Sequence, residues 1–189
     1  MNGRWIPNAI CVVRIVLIAP VALTLLRGDY TTTLLLFALA AASDGLDGWL
    51  AKNFGWTSRL GGILDPIADK LLLVTVIVML AVCGLVPVWL AASVVLREVV
   101  IVGGATAYHF LIGRLDAHPT IVSKLNTLVQ LSFVLLVIAA AAWAAVPRPL
   151  VIALGAATFV TTVVSGIDYV LTYARLAWRE SHRKAATAR

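Results

Sequence analysis

The sequence predicts an all-α integral membrane protein that has six transmembrane helices and both termini in the cytoplasm. The first observation is composition: 61% of the 189 residues are hydrophobic and 13% are charged, whereas about a quarter of the residues in a soluble domain are charged. The second is that several apolar runs reach about 20 residues, the length at which a helix crosses a bilayer core. The third is an uneven distribution of basic residues among the connections between these runs.

The apolar runs predict six helices near residues 6–26, 31–51, 65–84, 87–112, 121–145 and 149–174. Turn-forming residues fill the separators "RGDYTT", "CGLVP", "GRLDAHP" and "VPRP". The third helix is expected to begin near Leu64–Pro66, because proline is tolerated in a first turn. No repeat or long linker interrupts the sequence, so residues 1–189 are predicted to form a single domain with a basic tail at 175–189.

The distribution of Lys and Arg predicts the orientation. If both termini are inside, the outer connections hold only Arg27 and Arg148, and the other 13 of the 15 basic residues lie on the inner side. The tail "YARLAWRESHRKAATAR" is expected to bind anionic lipid headgroups. Nucleic acid is not expected as a partner, because no compact basic domain is present to bind it.

Four of the nine acidic residues lie in the segment 43–70, between two apolar runs. Asp44 and Asp47 are three apart and Asp65 and Asp69 are four apart, so each pair shares one face of a helix. Carboxylates brought together repel one another and need a cation. Mg²⁺ or Mn²⁺ suits them, because these ions prefer oxygen ligands and bridge carboxylates to phosphates. Solvated loop carboxylates and an ion or solute transporter are the alternatives.

The same segment resembles the signature of the CDP-alcohol phosphatidyltransferase family, D-x2-D-G-x2-A-R-x8-G-x3-D-x3-D. Every interval matches, and one position departs, because Lys52 stands where the family has arginine. Lysine keeps the charge but loses bidentate recognition of phosphate. The matching residues are Asp44, Asp47, Gly48, Ala51, Lys52, Gly61, Asp65 and Asp69.

The resemblance implies an enzyme that transfers a phosphatidyl group from CDP-diacylglycerol to an acceptor hydroxyl and releases CMP. It implies two Mg²⁺ or Mn²⁺ ions on the four aspartates, with Asp69 also acting as general base. It further implies a homodimer, and a bacterial inner membrane with the active site facing the cytoplasm is the expected location. The residues expected at the CDP moiety are Asn8, Gly48, Ala51, Lys52, Arg59 and Gly61.

Arginines inside two apolar runs suggest contacts to the acceptor. The opening "PNAICVVR" resembles the P-N-x5-R start of family members that make phosphatidylglycerophosphate or cardiolipin, so Asn8 and Arg14 are expected to line the nucleotide or acceptor site. Alternatively, Arg14 only extends to the headgroups. In "LREVV", Arg97 is expected to face the acceptor with Glu98 orienting it; the alternative is a mutual salt bridge.

The stretch "HPTIVSKLNTLVQL" bears on which alcohol is accepted. It resembles the P-T-x2-S-K-x-N-T segment of family members that make cardiolipin, in which Lys124 and Asn126 are expected to contact the acceptor. Members that make phosphatidylglycerophosphate carry more cations here, which suits a doubly charged phosphomonoester. Phosphatidylglycerol is therefore the favoured acceptor and glycerol 3-phosphate the alternative. Ser123 is expected at the N-cap of the fifth helix.

Overall fold

The computed structural model of the chain describes residues 6–54, 61–111, 121–143 and 145–187. Within these ranges all the regular structure is helical, which confirms the predicted all-α class. The six helices of this part of the chain are α1 (Ile6–Leu26), α2 (Tyr30–Phe54), α3 (Gly61–Val82), α4 (Val88–Leu111), α5 (Ile121–Ala142) and α6 (Arg148–Thr187).

Two helix bounds differ from the prediction by more than three residues. Helix α3 begins at Gly61, before the expected start at Leu64–Pro66, and α6 continues to Thr187 rather than ending near residue 174. The predicted bounds followed hydrophobicity, which falls in the basic tail. The tail is nevertheless rich in Ala, Arg and Lys, which favour helix, and it contains neither Gly nor Pro to end one.

Helices α1 and α3 end in the same type of turn. Gly28 and Gly84 both have φ of 74°, in the left-handed region that glycine adopts readily. The N–H of Asp29 donates to the carbonyl of Thr24 and that of Gly28 to the carbonyl of Leu25, which is the Schellman pattern. Gly84 and the residue after it repeat the pattern at the end of α3. The turns predicted at "RGDYTT" and "CGLVP" therefore connect α1 to α2 and α3 to α4 tightly.

Asp29 caps the start of α2, and we expect its replacement by alanine to lower thermal stability near neutral pH. Hydrogen bonds from the Thr32 side chain and backbone N–H hold the pKa of Asp29 below its usual 3.8, and the Thr32 N–H lies 3.1 Å from Asp29 Oδ1. A depressed pKa means that the stabilisation is present above the usual pKa and is lost as the pH falls through the folded value. The measurement is thermal unfolding in detergent near pH 7 and near pH 3.

Asp29→Asn is the control for this prediction, because an asparagine side chain can still accept the N-cap hydrogen bond but does not titrate. The difference in unfolding temperature between the wild type and Asp29→Ala should shrink in acid, whereas Asp29→Asn should keep its cap at both pH values. A constant difference at both pH values would contradict the assignment.

The hydrophobic core is built around α3. This helix packs against α1, α4 and α5, while α2 packs against α1 and α5, and α6 against α4 and α5. Val76, Ile77 and Leu80 of α3 are fully buried, together with Phe37 of α2 and Val134 of α5. Large apolar side chains also cover the outside of the bundle. Such a surface is suited to lipid rather than water.

Three helical segments in the described part of the chain are long and apolar enough to cross a membrane: Val88–Thr106, Ile121–Ala142 and Arg148–Tyr173. Shorter apolar segments are Cys11–Leu26 and Tyr30–Ser43. Segments of this length and composition are typical of an integral membrane protein.

Helices α4 and α6 approach closely at Gly104, and we expect Gly104→Ala to destabilise the protein by about 1–3 kcal/mol. A methyl group there would lie 3.1 Å from Cε1 of Tyr169. The Tyr169 ring has little freedom to move, since its hydroxyl donates to the Ile101 carbonyl at 2.7 Å and the ring stacks on Tyr173. Thermal or denaturant unfolding of the purified protein measures the effect.

Gly103→Ala is the matched control for this prediction, because nothing lies within 4 Å of a methyl group at that position. It should be neutral or stabilising by up to about 1 kcal/mol, given the helix propensity of alanine. Equal destabilisation by the two variants would show that the loss does not come from contact with Tyr169.

Candidate functional site

Polar side chains from five helices form two groups of contacts inside the bundle, Arg14–Asp69 and the contacts around Arg97 and Glu98. We call the two groups together the polar layer. Ionisable groups inside apolar helices are costly, so such a layer is a candidate functional site. Its members are Arg14 of α1, Asp69 and Lys70 of α3, Arg97 and Glu98 of α4, Ser123 of α5 and Ser165 of α6.

Arg14 forms an ion pair with Asp69, between Nη1 of the arginine and Oδ1 of the aspartate. The Arg14 side chain has no solvent exposure, while the Asp69 side chain is 35% exposed. The guanidinium therefore holds the carboxylate from the interior and leaves part of it accessible. The pairing rules out the alternative that Arg14 only extends to the headgroups, because that requires an exposed terminus.

Arg97 is buried and has partners on three helices. Its Nη1 pairs with Glu98, and its Nη2 donates to Ser123 Oγ at 2.8 Å and to Ser165 Oγ at 2.7 Å. The mutual salt bridge considered for Arg97 and Glu98 is thus present. Glu98 also forms an ion pair with Lys70, whose Nζ lies 2.9 Å from Oε2. Lys70 directly follows Asp69 in the sequence, so α3 carries one member of each of the two groups, Arg14–Asp69 and Lys70–Glu98–Arg97.

Ser123 does not serve as the predicted N-cap. Helix α5 begins at Ile121, so Ser123 is already inside the first turn. Its hydroxyl accepts a hydrogen bond from Arg97 instead. A hydroxyl residue before an apolar run can cap a helix or can form a hydrogen bond to a neighbouring helix. The sequence pattern is the same in both cases, so it could not tell which role Ser123 has.

Asn126 and Gln130 join α5 to α6 next to the polar layer. Both side chains are fully buried. Asn126 Oδ1 accepts from Thr161 Oγ1 at 3.0 Å and from Thr162 Oγ1 at 3.1 Å, and Gln130 Nε2 donates to Thr162 Oγ1 at 3.0 Å. Asn126, expected at the acceptor, therefore has partners within the protein. Lys124, expected at the same place, is exposed.

The signature aspartates lie on two helices. Asp44 and Asp47 belong to α2, and Asp65 and Asp69 belong to α3. Of the four, only the side chain of Asp69 is among those the structure describes. Within the described residues no three His, Cys, Asp or Glu side chains form a group that could hold a metal. The predicted metal site thus depends on side chains outside the described set.

A small cavity of about 70 Å³ lies between α2 and α3 beside Asp69. Arg14 and Asp69 line it, with Ala41 of α2 and Thr127 of α5. Asp44 follows Ala41 by three residues, about one helical turn. The first half of the signature thus begins one helical turn beyond the part of α2 that lines this cavity.

The residues expected at the CDP moiety are only partly described. Arg59 lies outside the described residues. The others are placed only by their helices, since their side chains are not described: Asn8 on α1, Gly48, Ala51 and Lys52 on α2, and Gly61 at the start of α3. Their roles remain predictions.

Sequence reasoning did not identify Lys70 and Ser165 as site residues. Lys70 neighbours Asp69, and Ser165 is a polar residue in the apolar run of α6. The available signal was polar residues recurring at helical spacing in apolar segments, which often form hydrogen bonds between helices. Identifying their partners required the fold, because Arg97 and Ser165 are far apart in sequence.

Comparison with known proteins agrees with the signature. The family model for CDP-alcohol phosphatidyltransferase matches residues 4–173. This is the family that the sequence segment 44–69 resembles, and the match extends over all six helices.

Relatives of two kinds are similar to the chain. A probable cardiolipin synthase (CMP-forming) from Drosophila melanogaster is 32% identical over 186 residues, covering 90% of this chain and 58% of the relative. Human cardiolipin synthase (CMP-forming) is 32% identical, covering 70% and 50%. A probable phosphatidylglycerophosphate synthase from Mycobacterium tuberculosis (strain CDC 1551 / Oshkosh) is 33% identical, covering 71% and 62%. The chain thus spans about half to three fifths of the length of these relatives.

Proposed function

Because the chain belongs to the CDP-alcohol phosphatidyltransferase family, we propose that it transfers the phosphatidyl group of CDP-diacylglycerol to a glycerol-type acceptor and releases CMP. The observation that carries the proposal is the signature aspartate Asp69, held by buried Arg14 yet partly accessible. Family membership favours this transferase over the ion or solute transporter that the composition alone allowed.

Two Mg²⁺ or Mn²⁺ ions are proposed at this site. Asp69 lies on the wall of a cavity that α2 also lines, and Asp44, Asp47 and Asp65 would complete the oxygen donor set. When bound, such ions neutralise charge on the pyrophosphate and align it for displacement. The Asp69 carboxylate paired with Arg14 alone would neither neutralise the charge of the pyrophosphate nor align it.

In the proposed reaction the acceptor hydroxyl attacks the β-phosphorus of CDP-diacylglycerol. The bond from this phosphorus to the bridging oxygen breaks, and CMP leaves with the electron pair. Asp69 accepts the hydroxyl proton, and Arg14 fixes the orientation of the Asp69 carboxylate. Lys52 and Arg59 are proposed at the phosphates of CDP, with Gly48, Gly61, Ala51 and Asn8 around the nucleotide.

We propose phosphatidylglycerol as the acceptor, which gives cardiolipin. The relative that covers 90% of the chain carries the name cardiolipin synthase (CMP-forming). Gly104 and Ala105 stand in the region where family members that use glycerol 3-phosphate carry a further arginine. The smaller number of cations suits a singly charged phosphodiester better than a phosphomonoester. Arg97, Lys124, Asn126 and Arg14 are the residues proposed to contact the acceptor.

Glycerol 3-phosphate is the second candidate, because a relative named probable phosphatidylglycerophosphate synthase is 33% identical. Purified protein with CDP-diacylglycerol and Mg²⁺ or Mn²⁺ should release CMP when phosphatidylglycerol is added and form cardiolipin. CMP release with glycerol 3-phosphate alone would replace the first candidate by the second. Release of no CMP with either acceptor would contradict the transferase assignment.

The proposed setting is a bacterial inner membrane, with six spans and both termini in the cytoplasm. The asymmetry of basic residues and the even number of helices support this arrangement. The whole chain is proposed to act as one domain and as a homodimer, since small residues in the "FALAAAS" run allow close helix contact. Cysteine accessibility on either side of the membrane tests the orientation.

A further inference from the structure

An apolar groove of about 370 Å³ runs between α4 and α6 on the outside of the bundle. Leu96 and Val100 form the α4 side, and Ile167 and Val170 form the α6 side. Three of these four side chains are at least half exposed: Leu96 at 65%, Ile167 at 55% and Val170 at 51%. The groove therefore opens laterally, toward lipid rather than toward water.

A buried cation distinguishes this groove from the rest of the apolar surface. Arg97 lines it, and its aliphatic stem crosses the groove opposite Gly166, where an added methyl group would lie 3.8 Å from Arg97 Cγ. The Arg97 side chain is 3% exposed, and its Nε is buried without a hydrogen-bond partner in the described part of the chain. The groove thus leads to an unused donor on a guanidinium.

The charge around this donor selects the class of ligand. Arg97 and Lys70 each contribute one positive charge and Glu98 one negative charge, which leaves a single positive charge on the three linked side chains. A phosphodiester carries a single negative charge, and a phosphomonoester carries close to two. The apolar walls require a ligand with an acyl chain.

We propose that the α4–α6 groove is a binding site for one acyl chain of an anionic diacyl phospholipid whose phosphodiester is held near Arg97 and Lys70. The inference rests on the proposed function and deepens it, because the lipid in the groove is the acceptor and enters from the bilayer.

Photo-crosslinking tests the site without relying on turnover. The intact protein in phosphatidylcholine nanodiscs is given phosphatidylglycerol with a photoactivatable group in its acyl chain, and adducts are mapped by peptide mass spectrometry. Adducts should concentrate on residues 96–100 and 163–171, at about tenfold the yield of a matched photoactivatable phosphatidylcholine. Equal labelling by the two probes would overturn the proposal, since the groove would then be ordinary lipid-facing surface.

Ile167→Trp should fill the groove, lower the phosphatidylglycerol adducts and raise KM for phosphatidylglycerol about tenfold, with KM for CDP-diacylglycerol unchanged. Val160→Trp is the control, because Val160 is on the same helix and is 57% exposed, close to the 55% of Ile167, but does not line the groove. If Ile167→Trp and Val160→Trp changed the adduct yield and KM equally, the proposed binding site would be overturned.

The two proposals fail in different ways. The first case is a protein that gives specific phosphatidylglycerol adducts in the groove but consumes only glycerol 3-phosphate. This result would overturn both the acceptor role of the groove and the proposed formation of cardiolipin. Cardiolipin formation with no enrichment of phosphatidylglycerol adducts would overturn the groove alone and leave the proposed function standing.

Discussion

Asp69→Asn is expected to reduce CMP release by about 10²–10⁴-fold, the usual contribution of a general base. The same change removes the negative partner of Arg14, whose side chain has no solvent exposure. We expect a loss of stability of about 1–3 kcal/mol, below the 3–5 kcal/mol typical of a fully buried pair, since the Asp69 side chain is 35% exposed. Activity and thermal unfolding must therefore be measured on the same preparation.

Two further variants separate the loss of chemistry from the loss of stability. Asp29→Asn makes the same chemical change at the turn before α2, and it should leave CMP release near the wild-type rate. A double-mutant cycle of Arg14→Gln and Asp69→Asn measures the coupling between the two side chains. Near wild-type CMP release by Asp69→Asn would contradict its role as base, and a coupling near zero would contradict the ion pair.

Glu98→Gln is expected to lower the free energy of unfolding by about 3–5 kcal/mol, the usual loss when one partner of a buried ion pair is removed. Glu98 contacts both Arg97 and Lys70, so its neutral form leaves two cations without their shared counter-charge. The Arg97 side chain, at 3% exposure, cannot regain solvent in compensation. Denaturant or thermal unfolding in detergent measures the change.

Lys70→Gln provides the matched comparison. The Lys70 side chain is 40% exposed, and exposed ion pairs contribute about 0–1 kcal/mol. This variant should therefore be much closer to the wild type in stability than Glu98→Gln. If the two variants were equally destabilised, the Lys70 contact rather than the Arg97 contact would be the more important one for Glu98.

The sequence predicted the helices well because the signal is local. A run of about 20 apolar residues bounded by turn formers is unambiguous, and five of the six helices begin within one residue of the predicted position. The end of α6 was wrong because the prediction treated loss of hydrophobicity as loss of helix. Those properties are independent in a segment rich in Ala, Arg and Lys.

The site was predictable in its chemistry but not in its pairings. Spacing and signature pointed to Asp69, and an unusual charge in an apolar run pointed to Arg14 and Arg97. That Arg14 contacts Asp69, 55 residues away, depends on how α1 packs against α3. Asn126 illustrates the same limit, because its sequence context suggested a contact with the acceptor and did not indicate Thr161 and Thr162 as partners.

The Schellman turns at Gly28 and Gly84 have a mechanical consequence. Each joins two helices at one end, while Arg14 and Lys70 lie 14 residues away along α1 and α3, about 20 Å at 1.5 Å per residue. A change of about 5° in the angle between two paired helices would barely move the turn but would displace these groups by about 2 Å, by the same helix geometry. The displacement caused by a small change in helix angle would therefore be largest at the level of Arg14 and Lys70, and smallest at the two Schellman turns.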